Sequence, residues 1–251
     1  MDIMTAIEKR ISVRAYDPRP VESEKIGQIA ALIEEINAES GLRFQLYGPR
    51  DDGELSLPLS SKMFAGVENV RHYAALVAPD DVVWADKLGY YGEKLVLFAT
   101  QLGLGTCWVA GTYDSSKTRA EVGEGERLWD VIPLGYATEK VPMKQRMIRA
   151  GIRKSDKKLT ELVDADVAYD ELPDWFKAAL DSVLKGPSAV NEQPVVFIYR
   201  EGEVKAMLPA KKRDLEFNDL GIAKLHFELA TEAHGIEGKW EWGDDARFVI
   251  E

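Results

Sequence analysis

Between Ser23 and Glu39 apolar residues recur at Ile26, Ile29, Ala30, Ile33 and Ile36, a helical spacing that turns one face toward a core. Ser23 stands where an N-cap is expected, and Gly41 where the chain must leave the helix. The next six residues, "LRFQLY" from Leu42 to Tyr47, predict a strand. The same order returns late in the chain: a helical "WFKAALDSVL" from Trp175 to Leu184, then "VVFIY" from Val195 to Tyr199, a strand entering a hairpin.

A constant offset of 132 residues pairs Leu88 with Leu220, Gly89 with Gly221, Gly103 with Gly235, Trp108 with Trp240 and Gly111 with Gly243. Each set predicts a helix, a glycine turn and a tryptophan-bearing strand. "GYYGEKLVLFATQLGLGTCWVAG" and "GIAKLHFELATEAHGIEGKWEWG" therefore look like two copies of one element, and residues 1–251 read as one unit of two halves, about 1–160 and about 161–251.

Each half also carries one segment that the other lacks. The first has "EKRISVRAYDPRPV" from Glu8 to Val21; the second has "KGPSAVNEQP" from Lys185 to Pro194. If the halves pack about a pseudo-twofold axis, as two subunits of a symmetric dimer do, these segments can meet at one shared site while the opposite site has lost both. Arg10 and Arg14 would fall on neighbouring faces if the first segment is helical, or on one face with Ser12 between them if it is extended. Taken alone they also fit a solvated surface pair, and "PSAVNEQP" alone also fits a capped turn.

Bulk properties narrow the partners. A chain of 251 residues can bury a sizeable core as one large domain or two small ones. A net charge of -11 and a pI near 5.0 argue against nucleic acid and anionic membrane as partners. Cys107 is the only cysteine, which excludes a disulfide framework and spaced-thiolate metal sites and suits a reducing cytoplasm. No apolar run approaches the roughly 18 residues of a membrane span, and "MDIMTAIEKRISVR" lacks the pattern of a leader. Lys140, Lys144, Arg146, Arg149, Arg153, Lys154, Lys157 and Lys158 form a cationic island in this acidic protein. His72, His226 and His234 have no acid or nucleophile at a telling spacing, and Cys107 reads as a packed, inert thiol. "GLGTCWVAG" lacks the preceding strand and following helix of a dinucleotide loop, and the Gly48–Gly66 insertion has no readable role.

Taken together, four elements resemble the FMN-dependent nitroreductase family, and within it a single-chain branch with two fused halves. They are the Arg-x-Ser-x-Arg of Arg10, Ser12 and Arg14; the Pro-Ser-x-x-Asn-x-Gln-Pro of Pro187, Ser188, Asn191, Gln193 and Pro194; the Gly103-Leu104-Gly105 helix end with Trp108; and "IPLGYATE" from Ile132 to Glu139. The resemblance implies an α+β, nitroreductase-like fold, with a central and mainly antiparallel sheet flanked by helices. It implies FMN as cofactor and NADH or NADPH as donor, with a flat electron-poor acceptor such as a nitroaromatic or quinone as the small-molecule substrate.

By the same resemblance, Arg10, Ser12 and Arg14 hold the flavin phosphate, whose dianion suits forked guanidiniums, and Arg153 is the nearest candidate for a further cation. Asn191 and Gln193, in a loop opened by Pro187, meet the pyrimidine edge of the ring, Ser188 donates to the ring or to the ribityl chain, and the backbone at Val109, Ala110 and Gly111 lies at N5. No catalytic side chain and no metal are expected, because the cofactor carries the chemistry. A monomer that mimics the family dimer is expected, with an ordinary homodimer as the alternative. A flavin-binding or sensing protein without turnover is the rival reading.

Overall fold

A computed structural model describes residues 1–49, 67, 69–111, 113, 118–139, 157–208, 214–243 and 245–251. The chain divides into two compact units. The first comprises Met1–Asp2, Lys9–Asp80 and Leu95–Ile152; the second comprises Ile3–Glu8, Asp81–Lys94 and Arg153–Glu251.

In the first unit helix α2, Ser23–Ser40, follows the stripe read from sequence and buries Ile29, Ile33 and Ile36. Gly41 ends it with φ 76°, its N–H donating to Asn37 O at 3.1 Å, the left-handed stop for which glycine is suited. Ser23 is the first helical residue rather than the cap. Glu22 takes the cap position without a side-chain cap bond, because its carboxylate accepts the Tyr136 hydroxyl instead. The sheet runs β1 (Arg43–Tyr47), β2 (His72–Pro79), β5 (Glu126–Gly135), β3 (Gly105–Thr106), and β4 (Val109–Ala110) also pairs with β5; all these pairings are antiparallel. Seven of the eight residues of β2 are buried, as befits a central strand. Val13, Tyr16, Tyr73, Cys107, Val109 and Val131 pack together in this unit's core.

The second unit opens with helix α1, Ile3–Lys9, of which Ile3–Glu8 belong here. Its sheet has the order β6 (Val163–Ala165), β7 (Val196–Arg200), β8 (Glu203–Met207), β10 (Ala246–Ile250), β9 (Gly238–Trp240), antiparallel except for β6 with β7. The β7–β8 hairpin turns through Glu201 and Gly202, both at positive φ, as a tight two-residue turn requires. Helix α4, Asp174–Lys185, buries Phe176, Ala179, Leu180 and Val183 against an aromatic core in which Phe197 stacks on Phe227 with ring centroids 4.9 Å apart.

Two long helices remain, α3 (Val83–Gln101) and α5 (Asp214–Ala233). They end in the same way. Gly103 N–H meets Thr100 O at 2.9 Å and Leu104 N–H meets Ala99 O at 2.9 Å; Gly235 N–H meets Glu232 O at 2.9 Å and Ile236 N–H meets Thr231 O at 3.0 Å. Both are Schellman caps, with Gly103 and Gly235 at φ 78° and 76°. Within the second unit the two helices cross with backbones in contact. A Cβ on Gly89 would lie 2.0 Å from Asn218 O, and one on Gly221 would lie 1.8 Å from Asp86 O. Gly89 touches Asn218 while Gly221 touches Asp86, a reciprocal contact of the kind a twofold axis produces. Among the described residues no helix is long and apolar enough to cross a membrane.

Candidate functional site

Beyond Lys9 the chain is extended. Ser12 forms a parallel bridge to Thr106, and Val13 N–H donates to Thr106 O at 2.8 Å, so residues 10–14 run beside β3. Gly105 permits that approach, since a Cβ there would lie 2.5 Å from Val13 Cγ2. The side chains alternate: Val13 enters the core, while Arg10, Ser12 and Arg14 share the other parity and are partly exposed. At about 3.3 Å per residue the two arginine Cα atoms lie about 13 Å apart, a span that two long side chains can close upon one dianion. Downstream, Tyr16 bridges Ala137, Thr138 N–H donates to Ala15 O at 3.1 Å, and Tyr16 OH donates to Pro133 O at 3.1 Å. Burial drives the Tyr16 hydroxyl well above its usual pKa, Cys107 adds to this, and the Arg14 charge opposes it.

Strand β4 presents the backbone at Val109 and Ala110, and Gly111 follows with φ 65°, a left-handed conformation natural to glycine. Val109 is buried, Ala110 half-buried and Gly111 exposed. Small residues here leave the main chain open to close approach. These residues and Arg10, Ser12 and Arg14 all belong to the first unit.

The loop after α4 lies in the second unit and is closed by its own side chains. Ser188 Oγ accepts Gln193 N–H at 2.9 Å, and Gln193 Nε2 donates to Gly186 O at 2.9 Å from a side chain only 5 % exposed. Lys157 Nζ donates to Gln193 O from the edge of the cationic island. Between these ties Ala189–Asn191 make one 3-10 turn, and three non-glycine residues adopt positive φ: Val190 at 47°, Asn191 at 61° and Gln193 at 49°. Asparagine tolerates that region, but a β-branched valine does so rarely, and strain of this kind costs on the order of 1–3 kcal/mol per residue. Val190 gains no burial in return, being 63 % exposed. The loop is thus a strained, pre-set turn in which the Gln193 amide nitrogen is engaged internally, with the half-buried Asn191 at its bend. The turn expected between helix and strand is present, tied by Ser188 and Gln193 rather than by a side-chain cap.

A family model described as "Putative TM nitroreductase" matches residues 2–231. The chain belongs to this nitroreductase family. A solved structure of a "putative nitroreductase" from Thermotoga maritima shares 22% identity, with a TM-score of 0.63 over 100% of this chain and 93% of its own, which shows the same fold. A nitroreductase from Bacteroides fragilis solved with bound FMN shares 20% identity, with a TM-score of 0.43 over 60% of this chain and 96% of its own. A nitroreductase family protein from Clostridium novyi shares 20%, with a TM-score of 0.46 over 55% and 87%. No curated protein matches the chain. Fold class and family therefore agree with the expectation from sequence, and membership carries the general activity of an oxidoreductase.

The site candidates of this nitroreductase-family protein thus form two sets, one per unit. Arg153, the rest of the island from Lys140 to Lys154, and residues 50–66 of the insertion lie outside the described residues. Among the described residues no group of His, Cys, Asp and Glu is arranged to hold a metal ion.

Sequence reasoning missed three polar pairs within the second unit, one of them a buried ion pair. Lys224 and Asp86 are 0% and 1% exposed and 2.6 Å apart. The same ammonium donates to Gly243 O at 2.8 Å, while Gly243 N–H donates back to Asp86 Oδ2 at 2.8 Å. Burial pushes the Asp86 carboxyl up and the Lys224 ammonium down, and each partner's charge opposes the shift. His226 Nε2 and Glu93 Oε1, both fully buried, lie 3.2 Å apart. Tyr90 OH donates to Glu228 Oε1 at 2.8 Å, and burial raises the Glu228 carboxyl. Nothing local in the sequence marks these pairs. Each joins α3 to α5 across more than 130 residues.

Proposed function

We propose that this nitroreductase-family protein is an FMN-dependent oxidoreductase that takes hydride from NADH or NADPH and reduces a flat, electron-poor small molecule such as a nitroaromatic or quinone. The observation that carries the reading is the extended segment with Arg10, Ser12 and Arg14 on one parity, because two guanidiniums and a hydroxyl are the donor set that a phosphate dianion requires. In this reading these three residues hold the phosphate, with Arg153 as a further cation. Ser188 and Asn191, in the turn that Pro187 opens and Gln193 closes, orient the ring. The main chain at Val109, Ala110 and Gly111 stands at N5.

When bound, FMN supplies the hydride chemistry, so the protein contributes binding, orientation and a set of fixed dipoles. The pre-set turn suits that work, since a group already held in its binding conformation loses little entropy on engaging a ligand. The hydroxyl of Ser188 gives an acceptor position, not its hydrogen, to Gln193 N–H. Chemistry at a flat ring demands no side-chain nucleophile.

The reading includes one flavin per chain, in a duplicated monomer that serves in the reducing cytoplasm. The identical helix caps at an offset of 132 and the reciprocal Gly89 and Gly221 contacts support duplication. Gly243 is the counterpart of Gly111, and its N–H is already taken by Asp86; Trp242 stands where the first half has Ala110. A second flavin would find neither the donor nor the small residue.

The test is a visible spectrum of protein mixed with FMN and desalted, repeated anaerobically after addition of NADPH or NADH. Retention of about one flavin that bleaches with either nucleotide is the expected result. Retention without bleaching would make the protein a flavin binder, and no retention would refute the flavin assignment.

A further inference from the structure

The turn at Ala189–Asn191 is held from outside by α5. Ala189 N–H, at the start of the turn, donates to both carboxylate oxygens of Asp219, at 3.0 and 3.1 Å. Asp219 is buried and lies 30 residues further along the chain. Its place on α5 is fixed, because the preceding residue, Asn218, is the one whose main chain meets Gly89 in the helix crossing. At the other end of the turn, the Lys157 ammonium binds the Gln193 carbonyl. A carboxylate thus sits at the N–H that opens the turn, and an ammonium at the Gln193 carbonyl two residues past its end. Local sequence does not supply this. The Ser188 side chain makes no cap bond to the turn, since its hydroxyl instead accepts Gln193 N–H.

We propose that Asp219 is a positioning residue for the flavin-binding turn: its buried carboxylate fixes Ala189 N–H and thereby holds Val190 and Asn191 in the left-handed conformation that presents the Asn191 amide. The role rests on the FMN assignment above. A carboxylate suits it because a charge-assisted bond to a main-chain N–H is stronger than a neutral one. Bidentate acceptance also restricts the direction of that N–H more than a single acceptor does. The turn therefore inherits the rigidity of the α3–α5 crossing.

The test compares wild type with Asp219→Ala, Asp219→Asn and Asp219→Glu in two measurements: FMN titration followed by flavin fluorescence, and amide hydrogen exchange of residues 186–193 in the flavin-free protein. Asp219→Ala should weaken FMN at least tenfold and speed exchange in the turn, while α5 and the β7–β8 hairpin keep their protection. Asp219→Asn keeps one acceptor oxygen in place but loses the charge and the bidentate contact, so its affinity should fall between wild type and the alanine variant. Asp219→Glu keeps the charge but moves it by one methylene, so it should lose affinity as the alanine variant does. If alanine prevents folding, the asparagine and glutamate variants decide the matter, since only a positional role separates them in this order.

Affinity within twofold of wild type in Asp219→Ala or Asp219→Glu would overturn the proposal, as would exchange that rises throughout the second unit. Failure of the wild type to bind FMN would sink the flavin assignment instead. In that case the exchange data would still show whether Asp219 holds the turn.

Discussion

Replacing Lys224 by methionine removes the ammonium from a buried pair while keeping most of its volume. Asp86 would then retain Gly243 N–H as the donor to Oδ2, and its Oδ1 has no hydrogen-bond partner even in the intact pair. Leaving one charge of a buried pair uncompensated costs about 3–5 kcal/mol. The lost bonds to Gly243 O and Glu241 O fall inside that range rather than adding to it, because they are made by the same ammonium. The assay is urea unfolding followed by circular dichroism. The double variant Asp86→Leu with Lys224→Met should be more stable than Lys224→Met alone, recovering only part of the loss, since Gly243 O stays without the ammonium and Gly243 N–H now loses Asp86 as well. The sign with pH is also fixed. Burial holds the Asp86 carboxyl above its unfolded pKa, and removing Lys224 takes away the first of the opposing causes and raises it further. A carboxyl raised in the fold contributes stability that is fully present below its unfolded pKa of about 3.9 and is lost as pH rises through the folded value. The Lys224→Met defect should therefore shrink as the pH is lowered. A loss below about 1 kcal/mol, or a defect that grows on acidification, would refute the view that desolvated charge governs this pair.

Arg14→Ala should weaken FMN binding by the loss of one charge-assisted interaction, about 1.5–3 kcal/mol or roughly 10- to 150-fold, read by flavin fluorescence; unchanged affinity removes Arg14 from the site. Gly221→Ala forces a methyl group into the backbone of α3, where its Cβ would lie 1.8 Å from Asp86 O, so a loss above about 4 kcal/mol in urea unfolding is expected, and a near-neutral result would mean the helices separate at little cost. In the first unit, burial and the Asp130 charge push the Tyr113 hydroxyl up to about 12. Its contribution is fully present below pH 10, the unfolded pKa, and is lost as pH rises through the folded value. Discounted for partial exposure this amounts to about 1–2 kcal/mol, so Tyr113→Phe should show a correspondingly flatter fall in stability from pH 10 to 12, and parallel curves would refute the assignment.

The parts of the fold that could be read in advance are those whose determinants are local. The isoleucine stripe of α2 faces the core because its spacing matches the helix repeat, and Gly41 stops the helix because its backbone takes φ 76°. "VVFIYREGEV" makes its hairpin at Glu201 and Gly202 for the same local reason. The 132-residue offset was also legible, since glycines at a helix end and at a close helix crossing leave no freedom of residue type. What escaped are features set by distant partners. Lys224 in "GIAKLHFELA" looks like a solvated residue on an amphipathic helix, yet it is fully buried because Asp86, 138 residues earlier, awaits it. Val190 is disfavoured at φ 47° by any local preference, and long-range bonds to the loop offset that cost.

The segment "KGPSAVNEQP" joins the two kinds of information. Its Pro, Ser and Asn announce a turn, and the internal bonds of Ser188 and Gln193 make one. Those bonds leave undecided which way Ala189 N–H points, because neither involves that group. Asp219 settles the direction from α5, and the position of α5 depends in turn on Gly89 and Gly221 leaving room for two main chains to touch. A glycine pair visible in the sequence as a repeat thus governs, through one buried carboxylate, the orientation of a turn that no repeat predicts. The strain at Val190 supports this order of cause, since an exposed valine would relax toward negative φ if the turn were free to follow its own preference.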